Sequence, residues 1–435
     1  MAEQVLHGNN LQFSLPPDGI ENPIVVLPGT CGKHRLNIKL NEDILKRHML
    51  LIGGTGCGKT NTFFHIVSTL KQNMTNNDVM IIFDTKGDYY KEFYEEDKDV
   101  VLSSAKAYSD KTAKWNIFSE ITIDGWDEDS IEDNISEISW GLYSESIRKN
   151  SSNPFFPNAA RDLFAAILTA LTRKAYKTEN VIGPKLNNSF LKGLMNSLTI
   201  DTLTDLVASN PDLLAVLSYV GDGKNNQGLG VLAEMQAVVR KIFFGAFSDA
   251  GSFSIRDFVR RKGAKTLFIE YDIAKGSTLS PIYKLLIDLA FKEAMGRCEG
   301  ERGNVYVFCD EFRLLPDLQH IENAVNFGRS LGLKIFAGLQ SIDQLYASYG
   351  EANGKNIAAG FSSVLSFRAN DESTRSFMTG LYGKRYILET HGSTPEGRVT
   401  TVVEDWDISR LNVGEAVVGI TSHAPFKFQF DLFKG

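Results

Sequence analysis

The sequence predicts an α/β fold with a mostly parallel central sheet. Short apolar runs without alternation are typical of strands that are covered on both faces. Such runs occur at residues 49–52, 79–83, 267–269, 305–309 and 335–339. Helical periodicity separates several of them, as in the spacing of Phe63, Ile66 and Leu70 after the first run. Strands that alternate with helices in this way indicate an α/β protein.

The segment between about residues 118 and 247 shows a different pattern, because the strand signal vanishes there. Apolar residues recur at helical spacing instead, for example at Ile131, Ile135 and Ile138. We therefore predict an inserted all-helical domain at 118–250. It separates two parts of one α/β domain, at 1–117 and 251–435.

Composition and charge limit the classes of function. The 435 residues are 43% hydrophobic and 23% charged, which excludes disorder for the bulk of the chain. The net charge of -7 provides no protein-wide basic field, so any contact with DNA must be local. The four cysteines suit neither a disulfide framework nor a CxxC zinc site. No apolar stretch approaches the roughly 20 residues of a membrane-spanning helix, and we expect a cytoplasmic protein.

A phosphate-binding loop is predicted between the first apolar run and the helix that follows it. The loop reads Gly53, Gly54, Thr55, Gly56, Cys57, Gly58, Lys59 and Thr60, which matches G-x-x-x-x-G-K-[ST]. Its glycines let backbone N–H groups surround a phosphate, at the positive end of the helix. We expect Lys59 to reach the β and γ phosphates of ATP and Thr60 to bind Mg²⁺. The alternative is a glycine-rich turn with an exposed lysine, which the flanking strand and helix disfavour.

Two acids and an amide at strand ends could complete an ATPase site. Asp310 follows the run 305–309 and is the candidate Mg²⁺ ligand, and Glu311 is the candidate that polarises the attacking water. Gln340 closes the run 335–339 and could sense the γ phosphate or orient water. The alternatives are a solvated acidic turn or helix cap, and an ordinary glutamine at a strand end.

Three further features stay open from the residues alone. Arg329 lies between the acidic pair and Gln340, where an oligomer could present it to a neighbour's nucleotide as an arginine finger; otherwise it is a surface arginine. The charged turn 84–88 is either part of the site or only a loop. Basic clusters are candidate phosphate contacts or solvated faces. They are Arg173-Lys174, Arg240-Lys241 and Arg260-Arg261-Lys262.

The order of motifs resembles the coupling-protein ATPases of conjugative type IV secretion, which are relatives of the FtsK/HerA DNA translocases. The Walker motifs are generic, and the other motifs in this order are specific. The resemblance covers most of the chain. It is based on the motifs at 48–60, 84–88, 115–118 (WNIF), 253–258 (FSIRDF), 310–312, 328–332 and 340–345.

The resemblance implies a RecA-like P-loop NTPase domain with an all-helical insertion. It also implies a homo-oligomeric ring of six subunits that hydrolyses ATP to move DNA, without sequence preference, towards a secretion apparatus. Lys59, Thr60, Asp310 and Glu311 would then act in the same subunit, with Gln340 as the sensor. Arg329 would act on the adjacent subunit, with Arg368 and Arg375 the next candidates. A relaxase and secretion components are the implied protein partners.

One departure concerns the membrane, since most coupling proteins begin with an anchor and this chain reaches its P-loop after about fifty residues without one. We expect a cytoplasmic chain with, at most, a peripheral location at the inner face of the membrane. Two other functions stay open. One is a HerA-like DNA pump in a nuclease or phage-defence complex, and the other is a nucleotide-gated receptor scaffold for protein substrates.

Overall fold

The computed structural model describes residues 3–13, 20–179, 186–221, 226–296, 303–391, 394–421 and 423–435. Cys298 lies outside these residues. The strands are β1 (Glu3–His7), β2 (Val25–Cys31), β3 (His34–Leu40), β4 (Met49–Ile52), β5 (Val79–Asp84), β6 (Val100–Ser103), β7 (Lys265–Glu270), β8 (Val305–Cys309), β9 (Leu333–Leu339), β10 (Ser363–Phe367), β11 (Lys384–His391), β12 (Thr394–Thr401), β13 (Glu415–Gly419) and β14 (Phe426–Phe430).

The α-helices follow the same chain order, and short 3₁₀ segments lie among them. The helices are α1 (Glu42–Leu45), α2 (Lys59–Asn73), α3 (Asp88–Phe93), α4 (Ile117–Ile121), α5 (Glu128–Lys149), α6 (Phe155–Glu179), α7 (Asn188–Ser197), α8 (Ile200–Val207), α9 (Asn226–Ile242), α10 (Ile255–Arg261), α11 (Gly276–Met295), α12 (Ile321–Phe327), α13 (Ile342–Tyr349), α14 (Glu351–Gly360), α15 (Glu372–Leu381) and α16 (Asp405–Ser409). The 3₁₀ segments are Lys106–Tyr108, Pro211–Tyr219, Gly245–Ser248, Phe312–Leu314 and Gly328–Leu331.

The chain divides into two compact units. Unit 1 comprises Met1–Glu95, Gly263–Thr266 and Ala294–Gly435, and unit 2 comprises Glu96–Lys262 and Leu267–Glu293.

Unit 1 is built on a sheet in which neighbouring strands run in the order β3-β2-β14-β13-β10-β4-β9-β8-β5. The pairs from β10 to β5 are parallel, and every residue of β4, β5, β8 and β9 is buried. This confirms the predicted α/β fold with parallel strands covered on both faces. The strands from β3 to β13 form an antiparallel extension that the sequence analysis did not predict.

A second, smaller sheet of unit 1 is antiparallel and has the order β1-β11-β12. Strands β11 and β12 are in register from Lys384, which pairs with Thr401, to His391, which pairs with Thr394. Val399 on β12 is 64% exposed, so this sheet has a side that solvent reaches.

Unit 2 is mainly helical, and its strands β6 and β7 pair in parallel, with Val100 opposite Leu267. The described elements from Ile117 to Ser248 are helices and 3₁₀ segments, so the segment is helical as the sequence indicates. The limits of the inserted domain at 118 and 250 stay a prediction.

The motifs 115–118 and 253–258 have a structural role within unit 2. Trp115 donates from Nε1 to Oε1 of Glu120 at 2.9 Å, and the Ser254 hydroxyl donates to Oε2 of Glu120 at 2.7 Å. Trp115 also forms an isolated parallel bridge with Phe253. Glu120 is fully buried, and burial raises the pKa of its carboxyl group. Such a buried carboxyl is tolerated because donors surround it, and here it joins the two motifs.

Candidate active site

The glycine-rich loop lies between β4 and α2, at the carboxyl end of the parallel strands of unit 1. Gly56 has φ 72° and Gly58 has φ 112°, a region of backbone conformation that glycine adopts readily. Gly58 is fixed by packing as well, since a Cβ there would lie 2.8 Å from Cα of Gly414. The N–H groups of Gly53 and Gly54 donate to the carbonyls of Leu339 and Arg368, at 3.1 and 2.8 Å. Backbone on both sides of β4 therefore holds the loop.

Lys59 is the first residue of α2, and its side chain folds back over the loop. Its ammonium group donates to the carbonyl oxygens of Gly53 at 2.6 Å and Gly54 at 3.1 Å. The residue is only 8% exposed. A buried positive charge at the positive end of a 15-residue helix creates a strong attraction for anions at this loop.

Asp310 joins the loop to the end of β8, the strand that lies beyond β9 from β4. Its Oδ2 accepts from the Thr60 hydroxyl at 2.7 Å and from the Tyr89 hydroxyl at 3.1 Å. Burial raises the pKa of Asp310, while the Thr60 donor and the charge of Lys59 oppose that rise. A carboxylate and a hydroxyl in contact are hard oxygen donors of the kind that Mg²⁺ prefers, so the chemistry of this pair fits the predicted ion.

The turn 84–88 supports the site. The carboxylate of Asp84 accepts the backbone N–H groups of Lys86 and Gly87 at 3.0 Å each, and those of Tyr89 and Tyr90 at 2.9 and 3.1 Å. These bonds fix the first turn of α3 and thereby place the Tyr89 side chain against Asp310. Asp84 itself is 2% exposed, with its carboxylate occupied by the backbone.

Tyr89 is the site residue that the sequence analysis missed. Burial, together with the charge of Asp310, raises the pKa of its hydroxyl well above the ordinary value, so it stays a hydrogen-bond donor. A signal was present in the sequence, because Tyr89 directly follows the charged turn after β5. That strand pairs in parallel with β8, the strand that ends just before Asp310.

Glu311 and Gln340 lie together on the same side of the loop. The Gln340 amide donates to both carboxylate oxygens of Glu311, at 2.9 and 3.1 Å. The Thr55 hydroxyl donates to Oε1 of Gln340 at 3.3 Å, and Arg313 lies 3.4 Å from the Glu311 carboxylate. Because β8 and β9 are parallel neighbours, the residues after them meet. The structure thus brings the predicted pair to the P-loop.

Arg329 does not reach the P-loop of its own chain. It is exposed on the 3₁₀ segment Gly328–Leu331, just before β9, whereas Gln340 follows the other end of that strand. At about 3.3 Å per residue, the seven residues of β9 separate these ends by about 23 Å. Its charge acts on Asp43, whose pKa is lowered mainly by Lys46 and to a smaller extent by Arg329.

The two arginines next in line differ in their surroundings. Arg368 is exposed directly after β10, and its carbonyl is the one that holds Gly54. Arg375 is paired with Asp405 at 2.6 Å. Arg368 therefore lies next to the glycine loop of the same chain, whereas Arg375 has a carboxylate partner.

The basic clusters of unit 2 are partly neutralised. Arg173 contacts Glu128 and Asp212, at 2.7 Å each, and also Glu132 at 3.0 Å. The cluster at 260–262 is similar, because Arg260 pairs with Asp124 and Glu293, and Arg261 pairs with Asp257. Arg240 and Lys241, in the last turn of α9, are exposed. This pair is therefore accessible to a phosphate backbone.

Two cysteines lie close to the site, and both are buried free thiols. Cys57 is part of the loop and Cys309 ends β8. Burial raises the pKa of both thiols, which therefore remain protonated and unreactive. Within the described ranges, no helix is both long enough and apolar enough to cross a membrane.

Comparison with known proteins agrees with this arrangement. A family model described as the type IV secretion-system coupling protein DNA-binding domain matches residues 36–403. The coupling protein TraD of Escherichia coli (strain K12) is 22% identical over 349 residues, which cover 79% of this chain and 44% of TraD. This chain thus spans less than half of the length of that relative.

Solved structures of similar fold include the unbound monoclinic form of the bacterial conjugative coupling protein TrwBdeltaN70. Its TM-score is 0.78 at 22% identity, with 99% of this chain and 94% of that chain covered. Plasmid coupling protein TrwB in complex with the non-hydrolysable ATP analogue ADPNP has a TM-score of 0.76 at 21% identity, covering 99% and 95%. Since the family model spans most of the sequence, the chain belongs to the family of type IV secretion-system coupling protein DNA-binding domains.

Proposed function

We propose that this protein is an ATP-hydrolysing coupling protein that translocates DNA, with bound protein, in type IV secretion. The observation that carries the proposal is the joint placement of Asp310 and Glu311 around one P-loop. Asp310 contacts Thr60, while Glu311 is held by Gln340, which in turn contacts Thr55. A protein that only bound nucleotide would have no need for the second group.

The residues divide the chemistry of ATP hydrolysis between them. Lys59 and the N–H groups of the glycine loop bind the phosphates, and Thr60 with Asp310 would hold Mg²⁺. Bound there, the ion supplies charge neutralisation on the phosphate oxygens. Glu311 accepts a proton from the attacking water. Gln340 orients the Glu311 carboxylate. Gln340 also lies beside that carboxylate, where its amide can sense the γ phosphate.

Arg329 completes a neighbouring subunit's site in this proposal. Its exposure and its position at the amino end of β9 support action in trans, since it lies far from the P-loop of its own chain. An arginine finger stabilises the charge that develops on the transferred phosphoryl group. This role requires a homo-oligomeric ring, for which we propose six subunits.

DNA is the proposed polymer substrate, bound without sequence preference. The family description names a DNA-binding domain, and the relatives TraD and TrwB are coupling proteins by name. Exposed Arg240 and Lys241 offer phosphate contacts, so binding is expected to weaken steeply with salt. A relaxase and secretion components are the proposed protein partners, and the proposed location is the cytoplasm at the inner face of the membrane.

The test measures ATPase rate and particle size with and without DNA of several forms. We expect DNA to stimulate hydrolysis in an assembly larger than the monomer, and Glu311→Gln to abolish that stimulation. Glu372→Gln, which alters an exposed acid on α15, is the matched control and keeps the wild-type response. ATP binding with no hydrolysis under any DNA condition would favour the nucleotide-gated scaffold instead.

A further inference from the structure

The segment that follows β14 packs one aromatic ring against α2. Leu432 and Lys434 are exposed, whereas Phe433 between them is half-buried. The ring of Phe433 contacts the imidazole of His65 on α2, with 5.2 Å between ring centroids. The groups assigned above to ATP hydrolysis do not include this ring, so its place beside the helix of the P-loop needs another explanation.

The backbone of this segment is bonded to the first turns of α2. The Asn61 side chain donates to the carbonyl of Asp431 at 2.8 Å and accepts the N–H of Phe433 at 2.8 Å. The same carbonyl lies 2.9 Å from Nε2 of His65. Because Asn61 directly follows Thr60, these bonds hold the Phe433 ring at a fixed place relative to the predicted Mg²⁺ ligands.

The ring of Phe433 completes an aromatic cluster that joins α2 to α3. Phe64 of α2 makes edge-to-face contacts with three other rings. They are Tyr89 at 4.9 Å, Phe93 at 5.4 Å and Phe433 at 5.5 Å between ring centroids. Phe433 also contacts Phe93 directly, at 5.8 Å. Since Tyr89 and Phe93 lie four residues apart on α3, they are on one face of that helix, and the cluster covers this face.

Tyr89 connects the cluster to Asp310, to which its hydroxyl donates at 3.1 Å. Asp84 fixes the first turn of α3, but the helix has only six residues and ends at Phe93. A helix this short depends on side-chain packing for its position. Loss of the Phe433 ring would leave a gap beside Phe93, and a shift of α3 into that gap moves the Tyr89 hydroxyl away from Asp310.

We propose that Phe433 is a positioning residue for the Mg²⁺ site of the P-loop, because it holds α3 where Tyr89 reaches Asp310. The inference rests on the proposed function, since it needs Mg²⁺ with a nucleotide at Thr60 and Asp310. In this proposal Phe433 acts on Asp310 only through the Tyr89 hydroxyl. A protein without that hydroxyl therefore gains nothing for Mg²⁺ from the Phe433 ring.

The experiment measures how much Mg²⁺ tightens the binding of a non-hydrolysable ATP analogue. Calorimetric titrations with Mg²⁺ and with EDTA give the two dissociation constants, and their ratio is the gain from Mg²⁺. We expect Phe433→Ala to lower this gain about threefold and to leave the dissociation constant in EDTA within about twofold, in line with one weakened hydrogen bond. Tyr89→Phe lowers the gain to the same extent, and the double variant lowers it no further.

Two further variants and a measurement without ligand complete the design. Phe433→Leu keeps an apolar side chain and is expected to lose less of the gain than Phe433→Ala. Phe13→Ala removes an exposed ring next to the bridge between Gln12 and Phe426, at the other end of β14, and keeps the wild-type gain as the control. Amide hydrogen exchange at Tyr89, whose N–H bonds Asp84, is expected to be faster in Phe433→Ala but not in Phe13→Ala.

The possible failures give different results. An unchanged gain in Phe433→Ala overturns the proposal. An equal loss of affinity with Mg²⁺ and with EDTA also overturns it, since the defect then lies at the phosphates. A double variant whose loss is the product of the two single losses does the same, because Phe433 and Tyr89 then act independently. A wild type that gains nothing from Mg²⁺ contradicts the proposed function itself.

Discussion

The two ends of strands β8 and β9 in unit 1 both gather polar side chains, but they hold them differently. At the carboxyl end, Asp310, Glu311 and Gln340 contact the glycine loop or each other. At the amino end, Lys334 is fully buried, with Glu42 at 2.5 Å and the Tyr306 ring centroid at 5.3 Å. Each end carries charge, so charge alone does not distinguish a ligand-binding site from a polar cluster that only stabilises the fold.

His48 at the amino end is an example of a side chain that stabilises the fold. The His48 imidazole accepts the N–H of Ile335 at 3.0 Å through Nδ1. Burial, reinforced by the charge of Lys334, lowers the pKa of His48 to about 4. The imidazole therefore stays neutral at physiological pH. Because His48 directly precedes β4, its hydrogen bond with Ile335 joins β9 to the start of β4.

The difference lies in what can replace the partners. Lys59 is bound to loop carbonyls and Glu311 to a glutamine amide, and phosphate oxygens or water can take the place of these partners. Lys334 has no such access, since its side chain is fully buried. A polar cluster is a candidate site when a ligand can compete for its hydrogen bonds, and this criterion selects the carboxyl end.

Arg329 is the exception that sharpens the comparison, because it is an exposed charge at the amino end. We expect Arg329→Ala to lower the ATPase rate about 10³-fold, as loss of an arginine finger does. Lys59→Ala should be inactive for a different reason, since it loses phosphate contact. Mixed rings of the two inactive proteins then regain complete sites, and mixing should restore partial activity.

The control for that experiment is subunit exchange, measured by fluorescence transfer between labelled proteins. If mixed rings form without regaining activity, and Arg329→Ala alone keeps near-normal turnover, Arg329 is a surface residue. Arg368 and Arg375 would then be tested in the same way.

Glu311→Gln tests the carboxyl end directly. We expect it to reduce turnover by about 10² to 10³-fold, because an amide cannot accept the proton from water. ATP binding should be retained, whereas Lys59→Ala should lose both binding and turnover. Equilibrium binding and steady-state rates measured on both variants provide the check. Substantial residual hydrolysis in Glu311→Gln would remove Glu311 from the catalytic role.

The amino end is tested by pH. Because the pKa of His48 lies at about 4 in the folded protein, below its ordinary 6.5, the unfolded chain takes up this proton first as pH falls. The neutral His48 imidazole thus contributes to the stability of the folded protein. This contribution is complete above about pH 6.5 and decreases towards pH 4. Between about pH 7.5 and pH 5, we expect this group to cost about 2 kcal/mol of unfolding free energy.

Denaturant titrations of the wild type and of His48→Asn at several pH values measure this contribution as a difference. Asparagine tolerates the positive φ of 58° at this position. The variant is expected to be less stable at neutral pH but to lose less stability on acidification. Parallel pH profiles for the two proteins would show that His48 does not titrate on unfolding.

The sequence alone predicts five of the buried strands, namely β4, β5, β7, β8 and β9, and it predicts the pairing of the P-loop with the acids, for a physical reason. Continuous apolar runs identify strands covered on both faces, and residues after parallel neighbours must meet. The antiparallel strands β2 and β14 escaped because only alternate residues are buried there, as with Phe426, Phe428 and Phe430. A search for continuous apolar runs does not detect that alternation, although a period of two would have revealed it.

The placement of Tyr89 shows a different limit of sequence reasoning. Its role depends on the Asp84 carboxylate, which accepts hydrogen bonds from four backbone N–H groups. The residue types permit this local interaction but do not require it. Arg329 shows the opposite limit. A position in the chain predicts which end of β9 it occupies, but whether a second subunit lies there is a property of the assembly.

Tyr89→Phe gives the smallest expected effect. It tests whether the Tyr89 hydroxyl orients the Asp310 carboxylate at the carboxyl end. Removal of the hydroxyl leaves Asp310 with the Thr60 donor alone on Oδ2, so the carboxylate is less firmly oriented for Mg²⁺. We expect the Mg²⁺ concentration for half-maximal ATPase activity to rise about threefold, in line with one lost hydrogen bond of about 0.7 kcal/mol, with little change in kcat. Tyr90→Phe makes the same chemical change one residue further along α3 and is the control. If both variants shift equally, α3 as a whole has been disturbed, and Tyr89 does not position Asp310.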